Sequence, residues 1–345
     1  MKLMTTEEVD PLMLPNGSYR PVRFLLPISL AKRLDDAVSR GLGGHADRHA
    51  LGSAALDEYL IELEYSDQSG PVLATPEGPA AVLDPGSPRP AIRVPMRGTP
   101  AEDRLSDLRD EPLLGLHNRD WPSLWALAEL AHETVDGPVP LREFLLEATS
   151  KAWKIADGIR DEAGADVRKL TALLPTNREK PQSAESMFQE FGIISVARRP
   201  DPNGNFRVGG PLALWRTLAL IPGHGSTLLT GVTKQGWELL EIADGLTPSL
   251  RQPEDRARLF LSFLRTKVPI DWWGFRLLLD TVKSGPSRET LVAAFAAARP
   301  WKRSVGASAA QGHLARAREW GLVEHQLVDG SYLLTDFGRE IQSGG

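Results

Sequence analysis

The sequence contains no cysteine, which excludes a disulfide framework, thiolate zinc sites, iron–sulfur clusters and a cysteine nucleophile. It also lacks a long apolar run. The best stretches, such as residues 212–221, are too short and interrupted to span a bilayer. Residues 1–10 carry acids where a signal peptide needs a basic start followed by an apolar stretch, so a cytoplasmic protein without membrane partners is expected. Excess basic charge is missing as well: the formal net charge is −5, so any DNA contact must come from local basic patches. No phosphate-binding G-x-x-x-x-G-K-[ST] loop, G-x-S-x-G elbow, H-E-x-x-H pair or dinucleotide fingerprint is present. His45 and His49 lie four apart without a carboxylate or cysteine set. The expectation is a protein that is not an enzyme and that needs no cofactor or metal.

What is present is the ordinary balance of a globular chain: 345 residues, 41% hydrophobic and 25% charged, enough for two or three domains. Many of its 31 glycines and 27 prolines punctuate residues 66–112, including Gly70-Pro71, Pro76, Gly78-Pro79, Pro85-Gly86 and Pro95. So few periodic apolar residues do not offset ordering entropy. This segment reads as a Pro/Gly-rich linker with one short extended piece at 91–96, and its Arg89, Arg93 and Arg97 read as a basic arm.

Before the linker, alternation at 21–26 (P-V-R-F-L-L) predicts a strand. Ser29 caps a first helix closed by Gly41, and Asp47 caps a second with an apolar stripe through Leu51, Leu56, Leu60 and Leu63. One strand and two short helices leave open apolar faces and ask for a partner copy. The segments L-P-I-S-L-A-K-R-L-D and D-R-H-A-L-G-S-A-A-L-D-E-Y-L within 19–65 resemble the ribbon-helix-helix repressors of the MetJ/Arc class. That resemblance implies an intertwined homodimer whose paired strands enter the major groove of double-stranded DNA. It places Arg23 and Leu25 as the outward readers and Asp47 at the helix start facing a phosphate.

After the linker the spacing is mainly helical, with helices expected at 121–134, 141–163, 166–174, 183–191, 254–267, 270–284, 287–299 and 308–320. Two places match: E-F-G-I-I (190–194) with E-W-G-L-V (319–323), and V-T-K-Q-G-W-E-L (232–239) with L-T-D-F-G-R-E-I (334–341). In each, a glycine cap, a strand start, a return and a Thr-capped helix are expected. Asp329-Gly330 marks a tight hairpin in the second copy, and the first carries an insertion at 197–227. The T-x-x-G-x-x-L/I ending resembles winged helix-turn-helix regulators. The expected fold is mainly α with short β hairpins: a ribbon-helix-helix unit (19–65), a flexible linker (66–112), a first winged-helix unit with an insertion (113–245) and a second (246–345).

Between Arg299 and Arg318 stand five basic residues and no acid. Arg316 is expected to face outward from a recognition helix flanked by Ser308, Gly312 and His313, with Lys302 and Arg303 on phosphates. Arg198, Arg199, Arg207 and Arg216 form a basic first wing, opposed by Asp201. The expected function is a non-enzymatic, homodimeric DNA-binding transcriptional regulator. The alternative is a tandem winged-helix adaptor or specificity subunit that contacts a protein partner, favoured by Glu324, Asp329 and Asp336.

Overall fold

Polar caps and apolar spacing set the helices where the sequence predicts them, within one or two residues in most cases. The computed structural model describes residues 91–108, 112–113, 117–163, 188, 192–225 and 227–344. The ribbon unit at 19–65, with Arg23, Leu25 and Asp47, therefore lies outside the described residues, as do the helices expected at 166–174 and, except for Phe188, 183–191. Among the described residues the chain is mainly helical: α1 (Trp121–Glu133), α2 (Leu141–Ala163), α3 (Pro211–Leu214), α4 (Lys234–Ala243), α5 (Glu254–Lys267), α6 (Pro269–Val282), α7 (Arg288–Ala298), α8 (Arg303–Glu319) and α9 (Asp336–Ser343). The side chains of Thr233, Ser287 and Thr335 cap α4, α7 and α9, satisfying amide groups that a helix start leaves without partners.

Two small three-stranded sheets complete the described fold. In one, β1 (Ser106–Leu108) lies parallel to β4 (Phe206–Gly209), which also pairs antiparallel with β3 (Ser195–Val196). In the other, β6 (Leu228–Val232) pairs antiparallel with β2 (Val139–Pro140) and β5 (Leu218–Pro222). The second half holds a shorter hairpin closed by bridges Val323 to Leu334 and Val328 to Ser331. Its turn is the expected one, with Asp329 and Gly330 both at positive φ.

The repeat is real, but the docking partner in the first half is not the glycine cap that the sequence match suggests. Thr335 Oγ1 donates to the Gly321 carbonyl (2.6 Å) and its amide to the Leu322 carbonyl (3.1 Å). Thr233 repeats both bonds on Arg216 (2.6 Å) and Thr217 (3.0 Å), not on Gly192 and Ile193. Trp215-Arg216-Thr217 thus corresponds to Trp320-Gly321-Leu322, and Arg216 and Gly321 both adopt positive φ, 52° and 69°. Within the expected insertion, the β3–β4 hairpin and α3 rebuild the helix cap, and β5–β6 takes the place of the second hairpin.

Residues 91–108 do not run clear of the fold as a linker would. Ile92 is 2% exposed and exchanges backbone hydrogen bonds with Gly245 and Leu246, while Ala101 and Arg104 bond to Val232 and Leu220. Arg93 and Arg97 are therefore carried on an anchored segment. The described residues belong to one compact unit, and apolar side chains from both sides of the 245/246 boundary share one core.

The repeated docking generates a prediction. A Cβ on Gly338 would stand 2.0 Å from the Leu322 carbonyl oxygen, and one on Gly236 2.2 Å from that of Thr217. Gly338→Ala and Gly236→Ala should each destabilise the protein by about 1 to 3 kcal/mol. Urea unfolding checks this, and unchanged midpoints would contradict the docking geometry.

Candidate functional site

Arg316 lies within the core of the described residues instead of on an outward face. Its side chain is 0% exposed, because α8 packs along nearly its whole length and buries Gly306, Ala309, Ala310, Gly312, His313, Leu314, Ala317 and Glu319 with it. The outward stripe expected for this helix treats it as half-exposed, whereas the core wraps it on several sides. Its guanidinium forks onto Asp271, with Nη1 and Nη2 each 2.6 Å from a carboxylate oxygen, and Nε donates to Asp120 Oδ1 at 2.8 Å. The Phe275 ring lies 4.7 Å from the guanidinium carbon.

The two aspartates hold equivalent places. Each begins an Asp-Trp dipeptide at a helix start, Asp120 before α1 and Asp271 in the first turn of α6. Each accepts an indole N–H from the opposite half: Trp320 Nε1 donates to Asp120 Oδ2 (2.6 Å) and Trp215 Nε1 to Asp271 Oδ2 (2.9 Å). Phe260 fills the space between these indoles, stacked on Trp320 at 4.3 Å and edge-on to Trp215 at 5.6 Å.

Three further buried titratable groups surround the cluster. His117 Nε2 stands 2.7 Å from Asp120 Oδ1. His313 Nδ1 donates to the Ala309 carbonyl at 2.8 Å, and its ring occupies the space left by Gly274. Glu319 accepts the amides of Asp120 (2.6 Å) and Trp121 (3.1 Å), a carboxylate at the start of α1 where the helix dipole favours it. Burial, the largest single influence, opposes ionisation of both aspartates. The Arg316 charge, joined by the hydrogen bond and charge of His117 at Asp120 and by the Arg316 hydrogen bonds and nearby His313 at Asp271, nevertheless holds both carboxyls below their usual range. Burial lowers the His117 pKa. Burial and the neighbouring Asp120 carboxylate push Glu319 up to about 7 against the opposing pull of Arg119 and the two amides.

Arg316 is therefore not the outward reader that its sequence context suggests, and the surrounding Asp120, Asp271, His117 and Glu319 carry no local motif that marks them beyond the Asp-Trp dipeptide at two helix starts. An enclosed cluster in which one guanidinium is shared by two carboxylates holds the fold together and does not present itself to a ligand. Among the described residues no group of three or more His, Asp or Glu side chains is arranged to hold a metal ion. No helix among them is long and apolar enough to cross a membrane.

The exposed basic residues lie elsewhere. Lys302 and Arg303 are exposed at the start of α8, Arg198, Arg199 and Arg207 are exposed on or beside the β3–β4 hairpin, and Ser308 is half-buried. Arg318 donates to the Glu324 carbonyl (3.2 Å), and Arg299 lies over Trp273 (4.7 Å) and Trp301 (5.7 Å). The structure therefore brings Arg299, Trp301, Lys302 and Arg303 together in one turn and separates them from Arg316. No family model matches the chain, and no curated protein or solved structure is similar to it.

Removing Arg316 leaves two buried aspartates uncompensated. Arg316→Met should cost about 3 to 5 kcal/mol of unfolding free energy, read by denaturant titration. A cost below about 1 kcal/mol would place the arginine outside the structural cluster.

Glu319 generates a pH dependence of defined sign. Its folded pKa of about 7 exceeds the ordinary 4.5, so its contribution is greatest below the latter value and is lost as pH rises through 7. The stability of Glu319→Gln relative to the parent should therefore improve between pH 5 and pH 8. A constant difference across that range would refute the raised pKa.

Proposed function

We propose that the protein is a non-enzymatic DNA-binding protein, a homodimeric transcriptional regulator that grips double-stranded DNA chiefly by its phosphates. The observation that carries this reading is the exposed turn Arg299 to Arg303. Lys302 and Arg303 project from it without a carboxylate partner among the described residues, in a chain whose overall charge is negative. A concentrated cationic patch on an acidic protein is the electrostatic footprint expected of a nucleic-acid contact.

The succession α6, α7, α8, hairpin and α9 supports a winged-helix reading of the second half, and the β5–β6 hairpin with α4 supports it for the first. Burial along α8 keeps its middle and end out of a DNA groove, so its contribution is to phosphates through the first turn. Arg198, Arg199 and Arg207 would lie along the backbone in the same manner. Such contacts give affinity with little base discrimination, and sequence readout falls to the ribbon-helix-helix unit through Arg23 and Leu25.

A second reading rests on the hairpin of the second half. Leu327, Val328 and Leu333 are 50%, 48% and 37% exposed, beside Glu324 and Asp329. Apolar residues grouped at an acidic hairpin suit a protein partner better than a phosphate backbone, as an adaptor would require.

Duplex binding across a salt series separates the two. Lys302→Ala and Arg303→Ala should weaken all sequences alike and reduce the salt slope by about 0.9 per lost contact. If the double variant binds like the parent, the helical region is not the DNA-binding element and the adaptor reading replaces it. If the parent shows no salt-sensitive binding, the regulator reading fails.

A further inference from the structure

The two halves meet in two equivalent interfaces that are closed differently. In one, the Trp320-Gly321 turn faces the start of α1; Glu319 reaches across to the Asp120 and Trp121 amides, and the Arg251 side chain lies where a Cβ on Gly321 would stand. In the other, the Trp215-Arg216 turn faces the start of α6. Here Leu214 holds the position of Glu319, and a cleft of about 610 Å³ remains.

The lining of that cleft is chemically selective. Leu214, Ile270 and Trp273 supply apolar surface, and Arg216, Lys267 and Arg299 supply positive charge. None of its described lining residues carries a carboxylate. Lys267 is held 3.2 Å from Glu238 and Arg299 rests on Trp273, whereas the exposed Arg216 side chain has no carboxylate partner among the described residues. Arg216 also adopts positive φ where its counterpart is glycine, a conformation that costs a non-glycine residue stability. An arginine is thus kept at the mouth of the cleft in a backbone position that suits glycine better.

We infer that this cleft binds a small amphipathic organic anion. Its carboxylate, sulfonate or phosphate would lie between Arg216 and Arg299, and its aliphatic or aromatic body against Leu214, Ile270 and Trp273. Charge-assisted bonds from guanidinium groups suit those anions, and the cleft is open enough to admit them from solvent. Because Arg216 belongs to the first half and Arg299 to the second, an occupant touches both. Arg299 is shared with the basic turn, but the cleft holds its anion chiefly through Arg216, which takes no part in the proposed phosphate contacts.

The probe is 1-anilinonaphthalene-8-sulfonate, an aromatic body with one sulfonate, titrated into the full chain. One probe per chain should bind saturably, with energy transfer from tryptophan. Decanoate should displace it and decanol should not. Arg216→Gly should lower the affinity about tenfold or more while the thermal midpoint stays level or rises, because the glycine relieves the backbone. Leu214→Glu should abolish binding by placing a carboxylate among the cations. Retained affinity in Arg216→Gly, or displacement by decanol as effective as by decanoate, overturns the proposal. Loss of probe binding in Arg216→Gly with duplex affinity intact would show the cleft acting independently of the DNA contact.

Discussion

Arg316 is held between two carboxylates from distant parts of the chain, and the fold around it depends on all three charges being present at once. An arginine taken out of water is costly, and so is an aspartate. The planar fork on Asp271 and the Nε bond to Asp120 compensate each with a short, directed hydrogen bond. The two indole N–H groups and His117 then occupy further carboxylate positions. Such a cluster adds less net stability than its bond lengths suggest, because desolvation consumes much of the gain. Its contribution is geometric: it fixes the starts of α1 and α6 against the two tryptophan turns.

That geometry carries the quasi-equivalence of the halves. Each half supplies an aspartate at a helix start and an indole to the other's aspartate, with Phe260 as the shared wedge. Arg316 has no matching cation in the first half, where Pro211 takes the equivalent place in the bonding pattern of the turn. One guanidinium therefore serves two sites. The same asymmetry leaves Leu214 opposite Glu319, so one interface is filled by the protein's own carboxylate and the other stays open.

Helix positions were largely legible in the sequence because local rules set them. Ser287 and Thr335 are good caps, Pro269 favours a first turn, and Asp329-Gly330 favours a tight hairpin. The start of α8 was placed five residues late, since small residues at Gly306 to Ala310 give little periodic signal. The role of Arg316 was illegible for a different reason. Exposure of a charged residue is the usual outcome, and only partners 45 and 196 positions away reverse it. The register of the repeat was misread similarly: the glycine cap at Gly192 copies the local motif, but the docking partner of Thr233 is a turn containing arginine. The basic turn Arg299 to Arg303, a property of adjacent residues, was legible directly.

The buried cluster also orders events during synthesis. Asp120 and Trp121 emerge from the ribosome long before Glu319 and Trp320, whose bonds to them span 198 to 200 positions. Until those residues arrive, α1 has a start without its carboxylate cap and an aspartate without its arginine, so the first half cannot close its core as it is made. Long-range closure of this kind slows folding and leaves apolar helix faces waiting in a crowded cell. A chain truncated before α8 lacks Arg316, Glu319 and Trp320 together, and with them the bonds that close the start of α1 from the end of α8.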